Sequence, residues 1–532
     1  MARRARRILA FVAMCYVLTA GCTTPPVTGP LATPDVFVGG PHPPQPPTSY
    51  VPATTRRGAL WYQVDLREPE VRIRLRLNAP PSEATFFLPG PWAGQTTFDA
   101  QVTLDEARGP AGSLPMHLDR EVGRVDVQCG DVAWMELSYR VRTAPPDRSA
   151  SRFHPTRGHT QVFAYAPTIF VLPSEGLARQ VRDIPVEVRA PQGWQVGATW
   201  HQHSATLPSA HQPGSITGFI AEDVRTLRDA FILAGSELTS ASRALPNGDL
   251  KVLQSPTLRF DVGSVADDTR SLLSAYIQRF GVYQSAVAAV LESVDSEHSG
   301  TLQGMGRRGG FVVQVPRHQR PGAELLLLIA HEALHMWNGH ELVPAPSADI
   351  ETRWFKEGLT HYLALKTLAR QGLIDQRDAL RELASAAQHY TQNPLAHGAP
   401  ADALDQERFP YDRGVLIALR LDLALHLASR GEIELEDWLV QLLKPHLRAP
   451  ARSYDTALLE RAFREISIDL SPAPTSEFRR LVRDQAQLQP RRLFSELGLH
   501  WLDPTATRPA RLLPIDGEPS HFRALFAPPH SS

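Results

Sequence analysis

Three cysteines in 532 residues leave almost nothing to cross-link. Cys15 and Cys22 fall in the first two dozen positions, so Cys129 stands alone in the body of the chain, which excludes an intramolecular disulfide framework there. Charge of one sign is also missing: 55 Lys and Arg against 56 Asp and Glu give a formal net charge of -1. Without a global field to draw polyanions, composition offers no support for nucleic-acid binding or a general membrane-surface role. Beyond the amino terminus no stretch approaches the ~18 consecutive apolar residues of a spanning helix, so a soluble body is expected. No repeat recurs at solenoid periods. What is present is ordinary globular material, 42% hydrophobic and 21% charged, with 46 prolines. The length predicts two or three domains of roughly 100–200 residues each.

The amino terminus carries Arg3, Arg4, Arg6 and Arg7, then an apolar run from Ile8 to Leu18. That run is shorter than the about 20 residues a permanent span needs. It ends in Leu18-Thr19-Ala20-Gly21-Cys22, which resembles a bacterial lipoprotein signal over residues 1–21 with Cys22 as the lipidated residue; an ordinary cleaved signal peptide is the alternative. Residues 22–57, centred on Pro43-Pro44-Gln45-Pro46-Pro47, are too poor in apolar groups to fold and read as a tether. The chain is thus expected in an exported envelope location, lipid-anchored, with Thr23 leaning towards the outer membrane or periplasmic face.

From 58 to 235 the apolar period is two. Val71 to Leu77, Trp134 to Val141 and Asp183 to Arg189 each alternate and predict strands, whose spacing suggests an N-terminal β-sandwich. His201 and His203 share a strand face there and read as exposed side chains rather than a metal site. After Ser264 the period becomes helical: 267–280, 323–338, 354–371, 414–430 and 454–466, with Gly339, Gly372 and Gly431 as stops. Gly309 to Val315 reads as a strand between the first two helices. The expected architecture is multidomain α+β: a β-sandwich over 58–235, a mostly helical domain over 236–505 and a tail over 506–532.

The chemistry concentrates at His331-Glu332-Ala333-Leu334-His335, which follows Glu324-Leu325-Leu326-Leu327-Leu328-Ile329-Ala330. Spacing of four places both imidazoles on one helical face, where both can reach one ion at ~2.0–2.1 Å. Glu332, rotated by about 100°, is placed to act on the attacking water rather than to ligate. Two histidines in a buried apolar helix would otherwise cost hydrogen bonds or a buried charge. After 21 intervening residues, Glu357 opens Trp354-Phe355-Lys356-Glu357-Gly358-Leu359-Thr360-His361-Tyr362 on a second predicted helix and is the candidate third ligand. His361, four residues on, is a possible competitor as ligand, a group supporting the ligands, or simple packing.

Taken in order, His331-Glu332-x-x-His335-x-Trp337-Asn338, Trp354-x-x-Glu357-Gly358-x-Thr360-x-Tyr362 and Tyr411-Asp412-Arg413-Gly414 resemble the glycyl aminopeptidase family of the gluzincins, the thermolysin-like zinc peptidases. The resemblance runs from about Gly58 to Leu499. It implies a thermolysin-like catalytic domain, one zinc ion on His331, His335 and Glu357, and Glu332 as the general base that passes a proton to the leaving amine. It implies Tyr411 as the hydroxyl that steadies the oxyanion. Members often carry a PDZ domain afterwards; only some thirty residues follow here, so that module is expected to be missing.

One segment departs from the family. Where a Gly-Gly-Leu-Glu-His-like stretch supplies a carboxylate for the substrate's amino terminus, this chain has Gln303-Gly304-Met305-Gly306-Arg307-Arg308-Gly309-Gly310. Gly304, Met305, Gly306 and Arg307 are the candidate substrate-binding residues, with Gly309 to Val315 as the edge strand on which a peptide lies. Arginines would repel an ammonium and favour a carboxylate, and Glu297-His298 would serve only after a rearranged loop. The implied function is a zinc-dependent, aminopeptidase-like peptidase acting on peptides or proteins. The alternatives are an endopeptidase of the same clan, or an inactive peptide-binding envelope lipoprotein.

Overall fold

The computed structural model describes residues 56–90, 99–145, 155–202, 215–246, 248–281, 286–294, 302–317, 319–444, 453–505, 507–515 and 520–527. The signal segment 1–21, Cys22, the tether up to residue 55, His203, Glu297 and His298 lie outside the described residues. The fold is mixed α+β. Its contacts divide it into two compact units: 1–243, 248–266 and 286–320 form the first, and 244–247, 267–285 and 321–532 the second. No helix among the described residues is long and apolar enough to cross a membrane.

The first unit is built on the period-two segments. Val71–Asn78, Trp134–Val141 and Ile184–Ala190 are strands of one eight-stranded sheet. In Val71–Asn78 the alternate residues Val71, Ile73, Leu75 and Leu77 are wholly buried, and the last three face Tyr139, Leu137 and Met135 across the ladder. Arg76, on the other face, places its guanidinium 4.5 Å from the centre of the Trp134 ring, a cation–π contact. Residues from this sheet and from two four-stranded sheets share one buried apolar cluster.

A five-stranded sheet runs in the order Thr239–Leu245, Gly248–Gln254, Ala286–Val294, Gly310–Pro316, Gln303–Arg307. Gly310–Pro316 is therefore interior. The edge expected at Gly309 to Val315 belongs instead to Gln303–Arg307, which pairs antiparallel with it. The cause is the Arg308-Gly309 turn, which folds the chain back so that the preceding segment covers the outer ladder. By contacts most of this sheet belongs with the first unit. Leu253, Val290, Met305 and Val312 share a buried cluster with Phe163, Tyr165, Phe231 and Leu233.

Glu292 lies inside this sheet, 1% exposed, accepting from Gln314 Nε2 at 2.8 Å and Thr156 Oγ1 at 3.2 Å. Burial pushes its carboxyl up from 4.5 to about 7, and the two hydrogen bonds offset only part of that. Between these values the folded protein holds a proton that the unfolded chain has released. The stability from this group is thus complete below the unfolded pKa and lost as pH rises through the folded one. Urea midpoints between pH 5 and 8 should fall for the parent, by at most about 1.4 kcal/mol per pH unit from this group. Glu292→Gln should flatten the decline; equal slopes in the two proteins would refute this assignment.

The second unit is mostly helical. We label α1 Val262–Phe280, whose first residues belong to the first unit, α2 Ala323–Leu334, α3 Thr360–Arg370, α4 Gln376–Gln392, α5 Ala403–Ser429 and α6 Leu435–Leu443. The expected helices are present with altered ends. The helix predicted over 323–338 stops at Leu334, and the one over 354–371 starts as a π-helical turn, Trp354–Leu359, before becoming α3. The helix predicted over 414–430 begins at Ala403, where Asp402 caps it by accepting from the Asp405 amide. Pro410 signals a break in sequence, because proline lacks a donor and crowds the preceding turn, yet it sits inside α5. Within the stretch read as a tail, Arg511–Pro514 is a strand and His521–Phe526 a helix with Phe522, Leu525 and Phe526 buried.

Candidate metal centre

The apolar residues Leu325, Leu327, Leu328, Ile329 and Ala330 bury α2, and this carries His331 and Glu332 out of contact with solvent. His331 is wholly buried, Glu332 is 2% exposed and His335 9%. The helical pitch brings His335 Nε2 to 3.0 Å from His331 Nε2. Glu357 Oε2 lies 3.5 Å from His331 Nε2 and 3.2 Å from His335 Nε2. Ligands at ~2.0–2.1 Å from one ion at tetrahedral angles stand about 3.3 Å apart, so three donors converge at the spacing a single small cation requires. Among the described residues this is the group of three that could hold a metal ion.

The local fields suit ligation. Burial, reinforced by the neighbouring His335, drives the His331 pKa down to about 3, so its ring stays neutral with a lone pair to offer. Glu357 is penalised by burial, but His335, His331 and Lys356 outweigh that and hold it well below the usual carboxylate range. Lys356 Nζ lies 3.6 Å from Glu357 Oε1, leaving Oε2 directed at the imidazoles. His335 is also penalised by burial, yet the Glu357 carboxylate raises its pKa on balance.

Motif residues without chemistry of their own position those that have it. The Asn338 carbonyl oxygen lies 2.8 Å from His335 Nδ1; accepting its proton leaves Nε2 for the metal. The Asn338 side-chain amide donates to Phe355 O at 2.9 Å and Thr360 Oγ1 at 3.0 Å, and Thr360 Oγ1 donates to Lys356 O at 2.6 Å. One asparagine thus ties the end of α2 to the turn that carries Glu357. Gly358 and Gly414 do the same on the other side. A Cβ at Gly358 would stand 2.4 Å from Gly414 Cα, and one at Gly414 would stand 2.5 Å from Trp354 O. Only paired glycines let this turn approach α5 so closely, because backbone cannot yield as a flexible side chain can.

That approach sets Tyr411 of α5 beside the histidines. Its ring stacks 6.5 Å from that of His331, and its hydroxyl is buried without a conventional hydrogen bond. Burial and the carboxylates of Glu357 and Glu332 push its pKa well up, so it remains a donor. Glu332 acts electrostatically on both Tyr411 and His335, which places its carboxylate within range of both. His361 lies outside that group of three donors, and its Nε2 lies 3.1 Å from Glu382 Oε1 on α4. The sequence did not reveal Glu382, which sits in the middle of an amphipathic helix with no motif around it.

Gly304, Met305, Gly306 and Arg307 lie on the edge strand of the first unit's five-stranded sheet. Met305 is part of the apolar core there, and the Arg307 guanidinium lies 5.5 Å from the centre of the Tyr165 ring.

Comparison with known proteins agrees with this geometry. The family model described as M61 glycyl aminopeptidase matches residues 324–403, the segment that carries His331, Glu332, His335 and Glu357. No curated protein matches the chain. The fold is similar to that of an aminopeptidase N family protein from Idiomarina loihiensis, with a TM-score of 0.66 at 18% identity over 83% of this chain and 79% of that one. It is also similar to an M1 zinc metallopeptidase from Deinococcus radiodurans, with a TM-score of 0.52 at 15% identity over 81% of this chain and 94% of that one. A mutant of the latter, bound to a Tyr-Ser-Ala substrate, gives a TM-score of 0.50 at 16% identity, with 81% and 94% covered. Through residues 324–403, then, the chain is similar to the M61 glycyl aminopeptidase family, and its fold is similar to that of an aminopeptidase N family protein and of an M1 zinc metallopeptidase.

Proposed function

We propose that this protein is a zinc-dependent peptidase, aminopeptidase-like in design, with His331, His335 and Glu357 as the zinc ligands. The observation that carries the reading is the convergence of three donors within 3.5 Å of one another in a buried site that also holds Glu332 and Tyr411. When bound, zinc supplies Lewis-acid polarisation of the attacking water and of the scissile carbonyl. Glu332 accepts the proton of that water and delivers it to the leaving amine. Tyr411 keeps its proton and directs it at the oxygen on which negative charge develops; such a donor is commonly worth about 3 kcal/mol. Burial of the whole set strengthens each of these interactions by excluding water.

The finer architecture belongs to the same proposal: a β-sandwich over 58–235, a thermolysin-like catalytic domain over 236–505, and an enzyme exported and lipid-anchored at Cys22. The Arg-rich start and the Leu-Thr-Ala-Gly-Cys sequence support the anchor.

A second reading, endopeptidase, is favoured by one feature. The segment Gln303–Arg307, which the resemblance aligns with the stretch that receives a substrate ammonium, contains no carboxylate. Matched peptides with free and acetylated amino termini separate the two, using protein that starts after Cys22. Under the aminopeptidase reading only free termini are cut. Cleavage of both forms establishes an endopeptidase. In either case chelation should abolish turnover and added zinc restore it; activity that survives complete removal of metal would overturn the proposal.

A further inference from the structure

A neutral imidazole carries one N–H. With Nε2 directed at the metal position, His331 must hold its proton on Nδ1, and that atom is buried with no acceptor. His335 is different, because its Nδ1 meets the Asn338 carbonyl. His361 presents the complementary deficit. Its contact of 3.1 Å to Glu382 Oε1 needs a proton on Nε2, which leaves a lone pair on Nδ1, and that nitrogen is likewise buried without a donor. The two rings lie 5.6 Å apart between centroids, tilted by 59°. An unmatched donor and an unmatched acceptor thus occupy neighbouring rings, and buried polar groups are rarely left unpaired.

We propose that His361 and Glu382 are positioning residues for the metal ligand His331. The His331 Nδ1–H is received by His361 Nδ1, directly after a small rotation of the His361 ring or through one bridging water. Glu382, on the far side, fixes the tautomer of His361. Such outer partners orient a ligand and raise its basicity, and their loss typically lowers metal affinity by about 10- to 100-fold. One zinc histidine would then be held by a backbone carbonyl and the other by a chain of two side chains from α3 and α4. The inference rests on the reading of His331, His335 and Glu357 as zinc ligands.

The test is the rate at which zinc passes from the protein, starting after Cys22, to an excess of chromogenic chelator, with thermal unfolding of each metal-free variant as a check on folding. His361→Leu should speed zinc loss by about 10- to 100-fold with metal-free unfolding near that of the parent. Glu382→Gln should show a smaller effect in the same direction. Because the residues act in series, the double variant should lose zinc no faster than His361→Leu, and His361→Gln, which keeps an acceptor, should recover part of the loss. Parent-like zinc retention in His361→Leu, or independent multiplying effects in the double variant, would overturn the proposal. Should His361→Leu fail to fold, Glu382→Gln decides, and zinc loss within about twofold of the parent overturns it, since outer partners are worth more than that. His331→Ala separates the two levels: if that variant keeps its zinc, the ligand assignment has failed, and not merely the relay.

Discussion

Glu332→Gln is expected to lower kcat/KM on a peptide by about 10³-fold, within the 10²- to 10⁴-fold range of a positioned general base, while zinc content stays at the parental level. The amide has nearly the shape of the carboxylate and stands between the two histidines without ligating, so the donors at His331, His335 and Glu357 keep their 3.0–3.5 Å spacing. What disappears is the capacity to accept a proton from water. The loss should fall on kcat, because the carboxylate acts on the attacking water rather than on the bound peptide. Near-parental turnover in a variant with full zinc content would remove Glu332 from the mechanism. Loss of zinc together with turnover would recast it as part of the metal site.

Lys366→Met should cost about 3–5 kcal/mol, the usual penalty for stranding a buried charge. Lys366 is wholly buried on α3, with its Nζ 2.7 Å from Asp422 Oδ2 on α5 and 2.7 Å from Glu436 Oε2 on α6. Tyr362 donates to the same Asp422 oxygen at 2.6 Å, and the Leu435 amide to its other oxygen at 2.9 Å. Without the ammonium, two carboxylates face each other in a dry interior. The apparent unfolding temperature should drop by about 10 °C. Burial already holds the Glu436 carboxyl above its ordinary value, and loss of the ammonium raises it further, so its protonation favours the folded form at low pH. The deficit relative to the parent should therefore shrink as pH falls from 7 towards 5. Adding Asp422→Asn and Glu436→Gln should recover much of the loss. An unchanged unfolding temperature in Lys366→Met would show that the network contributes nothing. The network also bears on the site, since it braces α3, which continues from the turn carrying Glu357, against α5, which carries Tyr411.

How much of this could be read in advance follows the range of the interactions. His331, Glu332 and His335 were legible because a spacing of four on a helix is a local geometric fact. So were the strands at 71–77 and 134–141, whose one-sided burial requires alternation. The helix ends were not, because the local signals conflict with packing: Pro410 marks a break, but α5 runs through it. The edge of the five-stranded sheet was assigned one strand too far along, since alternation and apolarity say which residues pair but not which ladder lies outermost.

By itself the sequence supplied the export-type amino terminus as an expectation, the alternation of the first half, the helical second half and the three candidate metal ligands. Each of these is encoded in short stretches of chain, where periodicity and motif order act. Only the tertiary structure decided that Asn338 clamps the Glu357 turn, that Gly358 meets Gly414, that His361 turns to Glu382 and that Lys366 is enclosed by two acids. Those contacts join residues up to 70 positions apart. They depend on how helices dock, and docking reflects the shape of the whole buried surface rather than any local pattern.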